Sequence, residues 1–299
     1  MCFSDELLAG EIRSLHYFGR DLVLFRGDDG AARCFDAYCP HLGAHLGVGG
    51  VLVDGTIRCP FHHWRFDMEG TCVDIPYAKR IPVAAKVETY PTIEKGGIVF
   101  AWYHPGDEAP MWELPDIAEY GDDAWTPYER REWIVKSSTQ ELSENTVDQA
   151  HFRYVHGTNT IADTEITTDG PLMKVISRAK VGGADGEADG VIEIDIYGFG
   201  FGMTRFTGVV ETLVMTSGTP IDEETVHMHL AFTVRKLSDS DSTKGLGKAF
   251  IDEIERQFGQ DIPIWENKIH HERPVLCDGD GPIGTVRQWA KQFYVEAPS

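Results

Sequence analysis

Four residues in one short stretch have the types and spacing of a redox metal centre. Residues 39–64 read CPHLGAHLG, then VGGVLVDGTIR, then CPFHHW, so a Cys-x-His pair and a Cys-x-x-His pair stand at the two ends of a loop–hairpin–loop segment. Two thiolates and two imidazoles on paired loops suit a 2Fe–2S cluster in which cysteines hold one iron and histidines the other. Cys39 and Cys59 would take the inner ferric iron, His41 and His62 the outer, redox-active one. Pro40, Pro60, Gly43 and Gly47 suit loops that wrap a cluster and turn backbone N–H groups toward its sulfurs. A Cys₂His₂ set also binds zinc, but zinc patterns keep Cys-x-x-Cys and His-x₃₋₅-His pairs together, and mixed pairs do not follow that rule. His45 and His63 flank the four without matching the pattern and are read as neighbours at the cluster edge.

A second set lies in SSTQELSENTVDQAHFRYVHG, residues 137–157. Residues 139–154 lack Gly and Pro, Ser137 or Ser138 can cap the start, and Glu141 falls in the first turn, so the spacing predicts a helix. Asp148 and His151 are three apart and share a face. His151 and His156 are five apart, about 140° round an ideal helix. They bind one metal only if the helix ends or bulges between them, and Gly157 suits such an ending. Two histidines at this spacing alone read as surface residues; beside a cluster that stores one electron they read as the site that uses it.

The elements that must position these residues change character along the chain. In the first hundred residues Gly19–Arg20, Asp28-Asp29-Gly30, Asp54–Gly55, Glu69–Gly70 and Lys95-Gly96-Gly97 are turn chemistry between short alternating runs, which predicts a small antiparallel domain with the cluster at one tip. HPGDEAPMWELPDIAEYGDDAWTPYE is a Pro- and acid-rich linker, with Trp112 and Trp125 as its anchors. The expected domains are 1–108 and 109–299. Beyond the linker, REWIVKSS, KVISRAKV, VIEIDIYGFGFGMTRF, GVVETLVMTSGTP and TVHMHLAFTVRK read as strands of an antiparallel sheet, with GGADGEADG and SDSDSTKGLGK as polar connectors. AFIDEIERQFGQDIPIWENKI, residues 249–269, is a helix whose apolar face is Ile251, Ile254, Phe258, Ile262, Trp265 and Ile269. His227 and His229 alternate on one strand face and are read as non-ligands.

Composition excludes several classes. With 299 residues, 42% hydrophobic and 25% charged, the chain is a globular protein of one large or two ordinary domains. A net charge of −21 argues against nucleic acid or an anionic membrane surface as partner. Six cysteines are too few for a disulfide scaffold, so Cys2, Cys34, Cys72 and Cys277 are ordinary thiols of a reducing cytoplasm. No stretch approaches a membrane span, and the acidic first residues do not resemble a signal peptide.

A Rieske spacing followed by Asn-x-x-Asp-x-x-His-x₄-His resembles the oxygenase component of the Rieske non-haem iron oxygenases. Residues 38–66, IPYAKRIP and ENTVDQAHFRYVHG are closer to one branch, the 3-ketosteroid 9α-hydroxylase oxygenases and the related cholesterol 7-desaturases. The resemblance implies an α+β chain: an all-β Rieske domain, then a helix-grip catalytic domain whose sheet curves round a helix and leaves a cavity at a mononuclear iron(II). It implies a facial triad in which His151 and His156 match the two histidines. Asp148 matches the aspartate that bridges the iron site to a Rieske histidine of the neighbouring subunit, and Asn145 matches a residue near the iron. Glu255 and Asp261 both flank the apolar face of the C-terminal helix, and the wheel does not separate them. Asp261 matches the third ligand because an Ile-Trp-x-x-Lys segment follows it. Phe199, Phe201, Met203, Phe206, Met215, Met228, Phe232 and Trp265 are candidates for the cavity wall, with Gly198, Gly200 and Gly202 giving room or curvature.

The expected activity is that of a terminal oxygenase using O₂ and electrons from NAD(P)H, relayed by a ferredoxin reductase or a flavin/2Fe–2S reductase. The expected reaction is hydroxylation of an apolar polycyclic, 3-ketosteroid-like substrate, and the expected assembly is a head-to-tail homotrimer. Desaturation, demethylation or a non-steroid substrate is the alternative within the class. An electron-transfer Rieske protein without a second metal is the alternative outside it, and the long chain beyond the cluster domain stands against it.

Overall fold

The structure, a computed structural model, describes residues 1–158, 163–183, 186–208, 210–237 and 240–295. Backbone contacts divide the chain into two compact units, the first Met1–Ile117 and the second beginning at Ala118. Both this boundary and the expected one at residue 108 fall in a stretch without helix or strand of its own. Residues 109–117 go with the first unit because their side chains anchor there. Trp112 meets Trp102 edge-on at 4.5 Å, Asp116 pairs with Lys95, and Ile117 fills the space that a Cβ at Gly96 would need.

The first unit is all-β. Its strands are β1 (Cys2–Phe3), β2 (Ile12–Tyr17), β3 (Arg20–Arg26), β4 (Ala32–Asp36), β5 (Val51–Val53), β6 (Thr56–Arg58), β7 (Arg65–Phe66), β8 (Cys72–Asp74), β9 (Thr89–Tyr90), β10 (Thr92–Lys95) and β11 (Ile98–Ala101). They form antiparallel sheets in the orders β1-β11-β10, β2-β3-β4-β9 and β5-β6-β7-β8. Asp54 and Gly55 both take positive φ (47° and 66°), the type I′ geometry that a two-residue turn between β5 and β6 demands. Val23, Phe25, Phe35, Leu46, Ile57 and Phe66 make the core, with Phe25 and Phe35 edge to face at 4.9 Å. Each such fully buried side chain stabilises by roughly 1.5–3 kcal/mol. Cys39 and Cys59 belong to the same cluster, so the candidate ligand loops are rooted in the core.

The second unit is one seven-stranded antiparallel sheet with helices. Its elements are β12 (Glu129–Val135), α1 (Thr139–Asn145), α2 (Gln149–Tyr154), β13 (Asp163–Asp169), β14 (Leu172–Gly183), β15 (Gly186–Tyr197), β16 (Phe201–Thr207), β17 (Thr212–Pro220), β18 (Val226–Val234), α3 (Ser240–Trp265) and α4 (Ile283–Ala290). Strands β13 to β18 lie in consecutive order and β12 joins at the β18 edge. Val226, Met228, Leu230 and Phe232 alternate along β18 and pack under Ile251, Ile254, Phe258, Ile262 and Trp265 of α3. Gly247 lets α3 approach, since a Cβ there would stand 3.3 Å from Val234.

Several expectations are corrected. The connector SDSDSTKGLGK begins outside the described residues at 238–239, and from Ser240 onward it is the start of α3. Of GGADGEADG, residues 184 and 185 lie outside the described residues, and the arms belong to β14 and β15. Strand β13 escaped the sequence reading because TEITTD carries a single large apolar residue, and α4 escaped it as well. Ile269 lies past the end of α3 and is 72% exposed, so it leaves the helix's apolar face. Gly198 and Gly200 take positive φ in the turn between β15 and β16. The proposed wall residues also divide. Phe206, Met228, Phe232 and Trp265 fill the α3–sheet interface, while Phe199 packs on Trp289 and Phe293 near α4.

Candidate active site

The two candidate ligand loops of the first unit are near-copies. Cys39 N–H donates to Ala44 O and Gly43 N–H returns to Cys39 O; Cys59 N–H donates to Trp64 O and His63 N–H returns to Cys59 O. Gly43 (φ 73°) and His63 (φ 59°) are the left-handed residues that close them. His63, read as a neighbour, is therefore the turn-maker of its loop. His45 braces the other loop, its Nδ1 accepting from Gly47 N–H at 3.0 Å. His41 stacks on Trp64 at 4.5 Å and meets His62 edge-on at 4.7 Å, and Trp64 is held by a 2.8 Å hydrogen bond to the Tyr77 hydroxyl.

This arrangement fits a cluster on two counts. His62 Nδ1 is buried and, among the described residues, has no hydrogen-bond partner, the condition of an atom that waits for a metal. Burial pushes the Cys39 thiol up to about 12, with the neighbouring Cys59 adding to the rise. Two thiolates there need a cation to be stable.

In the second unit the expected single helix is two. Asp148 caps α2, its Oδ1 accepting from Ala150 and His151 N–H at 3.1 and 3.2 Å. α2 ends at Tyr154, and Gly157 takes φ 76°. His156 thus lies beyond the helix end, which is what lets it reach the same point as His151. The imidazoles of His151 and His156 and the carboxylate of Asp261 bring one donor atom each within 4.8 Å of one another. His156 and Asp261 are buried, their side chains 2% and 8% exposed, and His151 is partly buried.

Each histidine is oriented by its far nitrogen. His151 Nδ1 donates to the Asp148 carbonyl at 2.6 Å, and His156 Nδ1 donates to Gln260 Oε1 at 3.0 Å. That leaves both Nε2 atoms as acceptors, His156 Nε2 3.3 Å from Asp261 Oδ1, the outer-shell pattern of metal-binding histidines. Burial lowers the His151 pKa and raises that of Asp261, each opposed by the charge of the other groups. A divalent cation bound between them would relieve both strains. Asn145 spans the group: its amide nitrogen lies 3.3 Å from His151 Nε2 and 3.5 Å from Asp261 Oδ2, and its oxygen accepts from Trp265 Nε1. Glu255, the alternative to Asp261, is engaged elsewhere in an ion pair with Arg131 at 2.9 Å. Gln260 was missed, although it sits next to Asp261 in the sequence.

Residues 1–91 match the Rieske [2Fe-2S] domain family, and residues 101–294 match the 3-Ketosteroid 9alpha-hydroxylase C-terminal domain family. The chain belongs to the Rieske non-haem iron oxygenases. An oxygenase component named 3-ketosteroid-9-alpha-monooxygenase from Rhodococcus rhodochrous is 31% identical over 96% of this chain and 78% of that protein. The cholesterol 7-desaturase of Caenorhabditis elegans is 33% identical over 99% of this chain and 76% of that protein. Dicamba monooxygenase bound to 3,6-dichlorosalicylic acid shares the fold, with a TM-score of 0.74 at 19% identity over 98% of this chain and 95% of that one.

As a Rieske oxygenase the chain takes a 2Fe–2S cluster and a mononuclear iron, and a separate reductase supplies its electrons. The zinc reading of the first loops is thereby set aside. Among the described residues, no helix is long and apolar enough to cross a membrane.

Proposed function

We propose that this chain is the terminal oxygenase component of a Rieske monooxygenase that hydroxylates an apolar polycyclic substrate of the 3-ketosteroid class. The observation that carries the reading is the largely buried His151–His156–Asp261 set, in a chain that also bears the Cys39/His41/Cys59/His62 pattern. Identities of 31–33% to a 3-ketosteroid monooxygenase and a cholesterol desaturase support the substrate class.

In this reading Cys39 and Cys59 hold the inner iron of the cluster and His41 and His62 the outer one. His151, His156 and Asp261 would hold the mononuclear iron. When bound, the cluster passes single electrons and the iron activates dioxygen for attack on a C–H bond. The Asp148 carbonyl and Gln260 keep the two imidazoles in the Nδ1–H form. Asn145 holds the Asp261 carboxylate without being a ligand. Asp148 uses one carboxylate oxygen to cap α2, and its side chain stays 40% exposed. The other oxygen, 4.0 Å from His151 Nδ1, is available to a Rieske histidine of the next subunit in a closed head-to-tail trimer. The six cysteines are all free, which suits a cytoplasmic protein that draws on a NAD(P)H-linked reductase.

With a surrogate reductase and NADH, 3-ketosteroids should stimulate oxygen uptake and yield a product that gains one oxygen atom. Loss of two hydrogens instead would favour the desaturase reading that the Caenorhabditis elegans relative supports. Metal analysis separates both from a mere electron carrier, which would hold the two cluster irons and no third. The trimer is tested by co-assembling Cys59→Ala with His151→Ala. Recovered activity is expected, and verified mixed oligomers without recovery would remove the inter-subunit role of Asp148.

A further inference from the structure

A second group of donors lies on the other face of the sheet from α3. Met228 and Leu230 of β18 pack on that helix, so the alternate residues His227 and His229 face away from it. The neighbouring strand β12 places Glu132 directly opposite His229. The His227 and His229 rings are 4.0 Å apart between centroids, and the Glu132 carboxylate addresses both, Oε2 at 3.5 Å from His227 Nε2 and Oε1 at 4.0 Å from His229 Nε2. One donor atom from each residue comes within 4.8 Å of the others.

These spacings are close to those of a coordinated ion. Zinc–nitrogen bonds of about 2.0–2.1 Å in a tetrahedron put neighbouring donors roughly 3.3–3.4 Å apart. Two imidazoles and one carboxylate are also the donor chemistry of zinc-class ions rather than of magnesium or calcium. The backbone has already ordered the set, because all three Cα positions are fixed by paired strands. His229 is buried, while the Glu132 side chain is 49% exposed and leaves a way in for the ion.

We propose that Glu132, His227 and His229 form a second mononuclear metal site, which takes a borderline divalent transition-metal ion of the zinc class and keeps a fourth position for water. The site is separate from the His151–His156–Asp261 set and does not depend on the oxygenase reading. Its bound ion would pin edge strand β12 to β18. Strand β12 runs within a few residues into Ser138, the N-cap of α1, so the pin also steadies the element that carries Asn145.

The test uses the protein loaded with its cluster and iron, brought to equilibrium with Zn²⁺ by dialysis and then assayed for zinc and iron. Wild type should hold one zinc per chain more than the double variant His227→Ala/His229→Ala at equal iron content, and zinc should raise the melting temperature of wild type alone. Equal zinc in the two proteins at equal iron overturns the proposal. If the double variant loses iron, Glu132→Gln takes its place. It should weaken zinc binding by about tenfold or more, since even outer-shell contacts carry about 10–100-fold in affinity, and an unchanged affinity overturns the proposal equally.

Discussion

Arg287 of α4 grips Glu144 of α1 with two parallel hydrogen bonds, Nε to Oε1 at 2.9 Å and Nη2 to Oε2 at 3.0 Å. Glu144 is the residue before Asn145, and its side chain is 6% exposed. Gln140 also donates to Glu144 and accepts from the Tyr294 hydroxyl, so the C-terminal segment clasps the helix that presents Asn145 to the proposed iron site. Removing one partner of a buried ion pair costs about 3–5 kcal/mol, because the other charge is left without compensation. Arg287→Met should therefore lower unfolding free energy by about that amount and reduce iron occupancy. Arg287→Lys should recover only part, since an ammonium cannot form the planar fork. Chemical denaturation and iron analysis check both.

Gln260 and Glu255 lie on the same helix and should behave oppositely. Gln260→Leu removes the acceptor that orients His156, and iron affinity should fall by about 10–100-fold. Glu255→Gln breaks a half-exposed ion pair with Arg131, worth about 0–1 kcal/mol, and should leave iron content unchanged. Iron retention during dialysis against a graded chelator distinguishes them. A normal affinity in Gln260→Leu would show that the 3.0 Å contact does not hold the ring.

His63 pays for its place in the loop with a left-handed backbone, a conformation that costs a non-glycine residue roughly 1–2 kcal/mol. Its structural counterpart in the other loop is Gly43. His63→Gly should keep the cluster's visible and paramagnetic spectra and change stability by no more than about 1 kcal/mol, the strain relieved being offset by glycine's greater entropy in the unfolded chain. Loss of the cluster spectrum would make His63 a ligand and displace His62 from that role.

Cys34 supplies a pH test in the first unit. Burial pushes its thiol from an ordinary 9.0 up to about 12. The folded chain holds this proton where the unfolded chain releases it. The stabilisation is therefore complete below pH 9 and is lost as pH rises from about 9 toward about 12, with a slope of about 1.4 kcal/mol per pH unit for one proton. Cys34→Ala should be less steep than wild type over that window and parallel to it below. Stability curves of the two proteins that stay parallel through pH 11 would contradict the assignment.

Local chemistry was readable from the chain itself. A Cys-x-His and a Cys-x-x-His pair specify their cluster type by ligand identity and spacing, and turn pairs such as Asp54–Gly55 specify hairpins by φ alone, so both survive without knowledge of the rest. The alternation along β18 and the helical face from Ile251 to Trp265 were equally local, since one pleat or one wheel decides which side is apolar.

What separates Asp261 from Glu255 is not local. Both flank the same apolar face, and only the packing of α3 against β18 and the α1–α2 elbow turns one toward His151 and His156 and the other toward Arg131. The elbow itself depends on Asp148 capping a new helix, where uninterrupted helix formers had predicted one continuous rod. Gln260, Arg287 and the Glu132–His227–His229 group are long-range in the same sense. Their partners are distant in sequence or lie across a strand pairing whose register no single segment encodes. Contacts of that kind exist only once the sheet has closed its register and the helices have docked on it, which is why the tertiary structure alone decided them.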